Sequence, residues 1–251
     1  MEHTPEEGPT TWETFLHAVV SPEAVLSHIA ETPLAHLRWL VPVLLYIVVS
    51  VSSIQVLALS PALNQAFRET IDEVLRPSLD EQIREGALTQ NQADWLYKFV
   101  SPGTPHFLLA QGTGLVLGAF ATLFALAFLF WQLGKSAMSS QAPYMKVVEV
   151  VGMTYVIASL ERIVTTLLMM GTESIYATPS LGLLAIPSAP QSLSFLLLSR
   201  VNLFTLWELG FISRGLSFLL DRDFPKVLVL IIALWLIWSA VTLIPLFNPG
   251  G

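Results

Sequence analysis

Three ionisable side chains and one amide stand inside one apolar stretch, "SRVNLFTLWELGFISRGLSFLLDR", residues 199–222: Arg200, Glu208 and Arg214, with Asn202. A second group, Glu161 and Arg162, interrupts the apolar run 147–170. Carboxylates and guanidinium groups so placed can pair, relay a proton or ion, or hold a lipid headgroup. In one continuous helix, residues seven apart drift by only about 20°, so Arg200, Trp207 and Arg214 form a stripe. Glu208 then lies about 80° round from Arg200. Arg200 and Arg214 sit toward opposite ends, where their stems run along apolar surface to reach the interface. Glu208 is the costly group, because a charge at mid-bilayer costs about 2.5–3.5 kcal/mol on insertion scales. Arg162 is its expected partner, with Glu161 meeting Arg200. The cluster reads either as a polar path for an ion, proton or headgroup, or as neutralised pairs that fix helix register.

Other chemistry is poorly provided for. The chain has no cysteine, hence no thiol chemistry or disulfide framework. Its histidines, His3, His17, His28, His36 and His106, fall in the N-terminal segment or at the edges of apolar runs. His17 and His28 share a face in a helix, but no carboxylate completes a metal site. There is no Gly-x-Ser-x-Gly elbow and no Walker-type loop. No catalytic residue, metal or cofactor is expected.

The elements that must position the polar cluster are membrane helices. Of 251 residues, 53% are hydrophobic and only 12% charged; the mean hydropathy is +0.64. Soluble domains carry roughly twice that share of charge. The apolar residues are blocked in runs of bilayer-spanning length. A net charge of −7 argues against nucleic acid as a partner. The fold class is therefore all-α, a polytopic membrane bundle with five spans at about 37–59, 106–133, 147–170, 192–220 and 226–247. Pro42 is expected near the first turn of the buried part of the first span.

Residues 1–36 are read as an N-terminal cytoplasmic amphipathic segment, distinct from the membrane domain 37–251. Thr10 with Glu13 fits a capping box and Ser21-Pro22-Glu23 fits an N-cap. Trp12, Phe15, Leu16 and Val19 recur on one side, suiting either the interface plane or packing against neighbouring loops. The first 37 residues hold six Glu and no Lys or Arg, so no cleavable leader is expected.

Residues 60–105 are a helical insert after the first span, with seven acids and four bases forming a solvated face. Ser60-Pro61 begins a helix on which Leu63, Phe67, Ile71, Val74 and Leu75 fall on one face, and Pro77 ends it. Ser78 with Glu81 begins a second and Thr89 with Gln92 a third, which Trp95, Leu96 and Phe99 line. In the second span Gly114 and Gly118, extended by Thr122 and Ala125, form a row of the kind that lets helices approach closely. Lys135 and Lys146 lie between spans two and three, and Arg222 and Lys226 between spans four and five. Short cytoplasmic loops collect Lys and Arg, which places the N-terminus inside, the C-terminus outside and the insert outside.

Residues 202–217, "NLFTLWELGFISRGLS", resemble the fourth-span signature of the YIP family, the Ypt/Rab-interacting type of multi-pass membrane proteins. Leu203, Phe204, Thr205, Leu206, Trp207, Gly215, Leu216 and Ser217 meet that pattern. "YMKVVEVVGMTY", residues 144–155, is similar to the opening of the family's third span, and "PSLGLL", residues 179–184, to the loop before the fourth. The Asp-Leu-Tyr-Gly-Pro string and the long cytoplasmic tail of eukaryotic members are missing. The resemblance implies the prokaryotic branch: an integral protein of the cell inner membrane without an established reaction. Binding of Rab-type GTPases is not expected. Membrane lipids, membrane-protein partners or a second copy are the expected partners, and acting through them in membrane organisation or trafficking is the leading function. The alternative is a transporter or channel for a small solute, ion or lipid.

Overall fold

The computed structural model of the chain describes residues 17–185 and 192–247. Among them the elements are helices: α1 Pro22–Glu31, α2 His36–Leu59, α3 Pro61–Arg84, α4 Gln90–Val100, α5 Pro105–Met138, α6 Tyr144–Thr172, α7 Leu193–Arg200, α8 Leu203–Leu220 and α9 Phe224–Phe247. Four of these, α2, α5, α8 and α9, are long and apolar enough to cross a bilayer. Residues such as Val48, Leu109, Leu117, Val229 and Ile237 on these helices are more than 60% exposed, as lipid-facing side chains are. Helix α6 spans 29 residues but carries Lys146, Glu149, Glu161 and Arg162. The expected Thr10–Glu13 capping box, with Trp12, Phe15 and Leu16, lies outside the described residues.

The chain divides into two compact units. The first comprises Met1–Tyr46, Ala121–Ser159 and Arg200–Gly251; the second comprises Ile47–Phe120 and Leu160–Ser199. Helices α2, α5 and α6 each contribute one part to each unit.

In the first unit α1 packs on α8, and α8 on α9. Pro22 starts α1 at its first turn, as expected, although the Ser21 side chain makes no cap bond. Val25, Leu26 and Ile29 point inward, and Leu26 and Ile29 are fully buried. This segment is thus seated on protein along one face. The first part of α6 is enclosed on all sides, since every residue from 146 to 157 is buried. Two glycines permit that enclosure. A Cβ at Gly152 would collide with Trp39 of α2, whose Cα would stand only 2.9 Å away. A Cβ at Gly215 of α8 would collide with Val150 of α6 and stand 2.9 Å from Leu26 Cδ2. In lipid, helix association rests on such close packing.

The glycine pair named from the sequence behaves differently. A Cβ at Gly114 or Gly118 meets nothing within 4 Å, and the row with Thr122 and Ala125 is exposed. Close helix approach within this chain uses Gly152 and Gly215 instead. Spacing alone shows that a close approach is possible, not which glycine faces a neighbour.

In the second unit the insert contains two helices, not three. Helix α3 runs through Pro77 to Arg84. An interior proline frees the carbonyl four residues earlier. Here Glu73 and Pro77 are both exposed, so water can satisfy that group. Ser60 caps α3, accepting from the Leu63 N–H at 3.4 Å. Thr89 and Gln92 form the reciprocal capping box of α4. Leu63 and Leu79 are the buried residues of α3, while Val74 faces outward at 71% exposure. On α4, Ala93 is buried, and Trp95 and Leu96 are exposed. Tyr97 ties α4 to α3 by donating to Asp72, which also meets Arg76 Nε at 2.9 Å.

Candidate functional site

The polar groups of the first unit form a closed cluster. Lys146 and Glu149 lie three residues apart at the start of α6, on one helical face. The Glu149 side chain is fully buried and receives Lys146 Nζ at 2.6 Å and an Arg38 guanidinium nitrogen at 3.1 Å. Arg38 also donates to Thr32 Oγ1 at 2.7 Å and approaches His28 Nε2 at 3.3 Å. Lys146 Nζ donates to the Thr32 carbonyl at 3.0 Å. A buried carboxylate is tolerable when paired and hydrogen-bonded in this way. The cluster binds α6, α2 and the end of α1 to one another.

The fourth apolar stretch is not one helix. Helix α7 stops at Arg200 and α8 begins at Leu203. Between them Asn202 is extended (φ −108°, ψ 133°), and its Oδ1 accepts from the Phe204 N–H at 2.9 Å. Asn202 is therefore an N-cap, which is what Asn does best at a helix start. The stripe of Arg200, Trp207 and Arg214 needed an unbroken helix, so the break removes Arg200 from it. Arg214 pairs with Glu23 of α1 and lies over the Phe218 ring at 4.4 Å and near Phe224 at 5.7 Å. Trp207 and Arg214 line one cavity of about 480 Å³ with Pro22, Glu23 and Phe224. Glu208 acts electrostatically on Tyr155, whose ring meets Tyr46 edge-on at 5.3 Å.

Along α8 the residues of the expected family motif divide by exposure. Gly215, Leu216, Ser217 and Phe204 are buried, Thr205 and Trp207 are partly exposed, and Leu203 is 67% exposed. Phe204 stacks on Trp207 with ring centroids 6.3 Å apart. Of the buried motif residues, Gly215 lies against both α1 and α6.

Glu161 and Arg162 belong to the second unit. Neither Glu161 nor Glu208 is without a partner. Arg162 makes no ion pair or side-chain hydrogen bond among the described residues. It lines a cavity of about 420 Å³ instead of meeting a carboxylate as expected. Leu57 of α2, Phe67 and Ile71 of α3, Phe107 and Leu115 of α5 and Met169 of α6 supply apolar wall. The other polar side chains in the lining are Asn64 and Gln111. Arg68 braces this wall, donating to Asn64 Oδ1 at 2.9 Å and to the Pro102 carbonyl at 2.8 Å.

Of this cluster sequence reasoning named only Lys146, as a base between the second and third spans, and did not bring it together with Arg38 and Glu149. The i, i+3 spacing of Lys146 and Glu149 was the available signal. Arg38 lies 111 positions from Glu149, beyond any local pattern. Among the described residues, no group of three His, Asp or Glu side chains is placed to hold a metal. Comparison with protein-family models, curated proteins and solved structures finds no match.

Proposed function

We propose that this chain is a non-enzymatic multi-pass membrane protein of the YIP type, acting through lipid or protein partners in membrane organisation. The observation that carries the reading is Glu149, wholly buried and neutralised between Arg38 and Lys146. Such a cluster suits a fixed bundle better than a wet path through it. In this reading α6 is the fifth span, enclosed by its neighbours where it is charged. The orientation follows from the basic connections. Arg222 donates to the Met138 carbonyl at 2.5 Å, which joins the connection after α5 to that after α8 on one side. Arg222 in the second connection, with Lys135 and Lys226 at the helix ends that flank the two, marks this side as the cytoplasmic one. The membrane is the cell inner membrane.

A second reading, transport of a small solute, ion or lipid, is favoured by the cavity at Arg162. Purification in mild detergent followed by mass spectrometry of copurifying lipid and protein tests the first reading. Reproducible recovery of a lipid class or protein partner supports it. Repeated recovery of the chain alone, together with solute flux across liposomes, overturns it in favour of the second.

A further inference from the structure

We propose that the cavity of the second unit is a binding site for an anionic amphiphile, its headgroup held by Arg162 and its aliphatic chain by the apolar wall. The inference deepens the membrane-partner reading and rests on it. The cavity has the volume and the mostly apolar lining of small-molecule sites, with a few convergent polar groups. Its polar groups are unequal: one guanidinium, two neutral amides and no carboxylate.

Arg162 stands ten residues, about 15 Å of helix, before the end of α6 at Thr172. A guanidinium at that depth is costly unless something neutralises it. Two other arginines at apolar helices have carboxylate partners: Glu149 for Arg38 and Glu23 for Arg214. Arg162 has none among the described residues, and what it faces is a space. Arg is the side chain suited to carboxylate or phosphate, since its planar fork presents two parallel donors. Gln111 can supply neutral hydrogen bonds to the ester or hydroxyl groups beside such a headgroup, while Asn64 is held by the Ala58 carbonyl and Arg68. Phe67, Phe107 and Leu115 offer apolar contact and no competing charge. The shared chemistry is thus an anionic oxygen group on an aliphatic chain, whether a free fatty acid or an anionic phospholipid.

The test uses full-length protein in phosphatidylcholine nanodiscs holding a trace of one diazirine probe. Photoreactive palmitate is compared with palmityl alcohol, and photoreactive phosphatidic acid with diacylglycerol. Labelled peptides are mapped after irradiation. At least one anionic probe should label the peptides containing Phe67 and Phe107 about tenfold more than its uncharged counterpart. Arg162→Gln should abolish that excess and Arg162→Lys should keep part of it. An excess with palmitate assigns a free fatty acid, and one with phosphatidic acid assigns a diacyl lipid. Equal labelling by charged and uncharged probes of the unaltered protein overturns the proposal, whether or not Arg162→Gln folds. So does an excess that survives Arg162→Gln. Labelling confined to outward-facing peptides around Leu109 and Val229 sinks the cavity proposal and leaves the membrane reading standing. Protein that fails to enter the discs overturns both.

Discussion

Helix α6 handles charge in two different ways along its length. In its first part Glu149 is enclosed and answered by Arg38 and Lys146. In its second part Arg162 is half-buried, has no carboxylate partner among the described residues and faces a cavity. The surroundings differ to match. Residues 146–157 are buried without interruption, whereas Ile163, Leu167 and Met170 are exposed. Polar groups on one helix need not share a purpose: one set closes the fold, and on the proposal above the other is left for a visitor.

The largest expected effect comes from breaking the closed set. Glu149→Ala leaves two cations with no buried counter-charge, which should cost about 3–5 kcal/mol in thermal unfolding in detergent. The concerted change Arg38→Met, Lys146→Met and Glu149→Leu should recover most of that loss, because an apolar replacement leaves no unpaired charge. A single variant as stable as the parent would mean that the cluster contributes little.

A smaller effect should come from the helix approach that encloses it. Gly152→Val drives a side chain into Trp39 and should cost about 1–3 kcal/mol. Gly118→Val, facing open space, should leave the melting of the isolated chain unchanged. If the two variants melt alike, the contrast between the two glycines is lost.

Smaller still is the acid response of the insert. The hydrogen bond from Tyr97, followed by that from Arg76, holds the Asp72 carboxyl below its ordinary value of 3.8. A lowered folded-state value stabilises α3 against α4 above the unfolded value, and the contribution disappears as pH falls through the folded one. Trp95 fluorescence should therefore report loosening of the insert below about pH 4. Asp72→Asn should remove that acid step and show the loosened signal already at neutral pH. An unchanged titration in Asp72→Asn would assign the step to another group.

How much of this was legible depended on the range of the interaction. Local signals served well: Ser60 caps α3 and the Thr89–Gln92 box opens α4 because each is closed within three residues. Pro77 misled, since the cost of an interior proline depends on whether the freed carbonyl meets water. Asn202 misled too. Its stretch is apolar enough to span, but its side chain satisfies the backbone by starting a new helix. The Arg38–Glu149 pair and the Gly152–Trp39 approach are tertiary facts without local periodicity. The cavity is assembled from five helices and the segment after α4, while its single cation was visible as an anomaly in the apolar run.

The most direct test of the two-part account is a paired thermal melt of Glu149→Ala and Arg162→Gln in lipid-free detergent, with and without added dioleoyl phosphatidic acid and oleate. The account predicts that Glu149→Ala melts well below the parent without lipid, yet keeps the parent's gain on adding the anionic amphiphile. Arg162→Gln should melt with the parent without lipid and lose that gain, since only a ligand bound to the folded state raises its stability. An Arg162→Gln protein that melts as low as Glu149→Ala without lipid, or that keeps the full gain with it, would contradict the account.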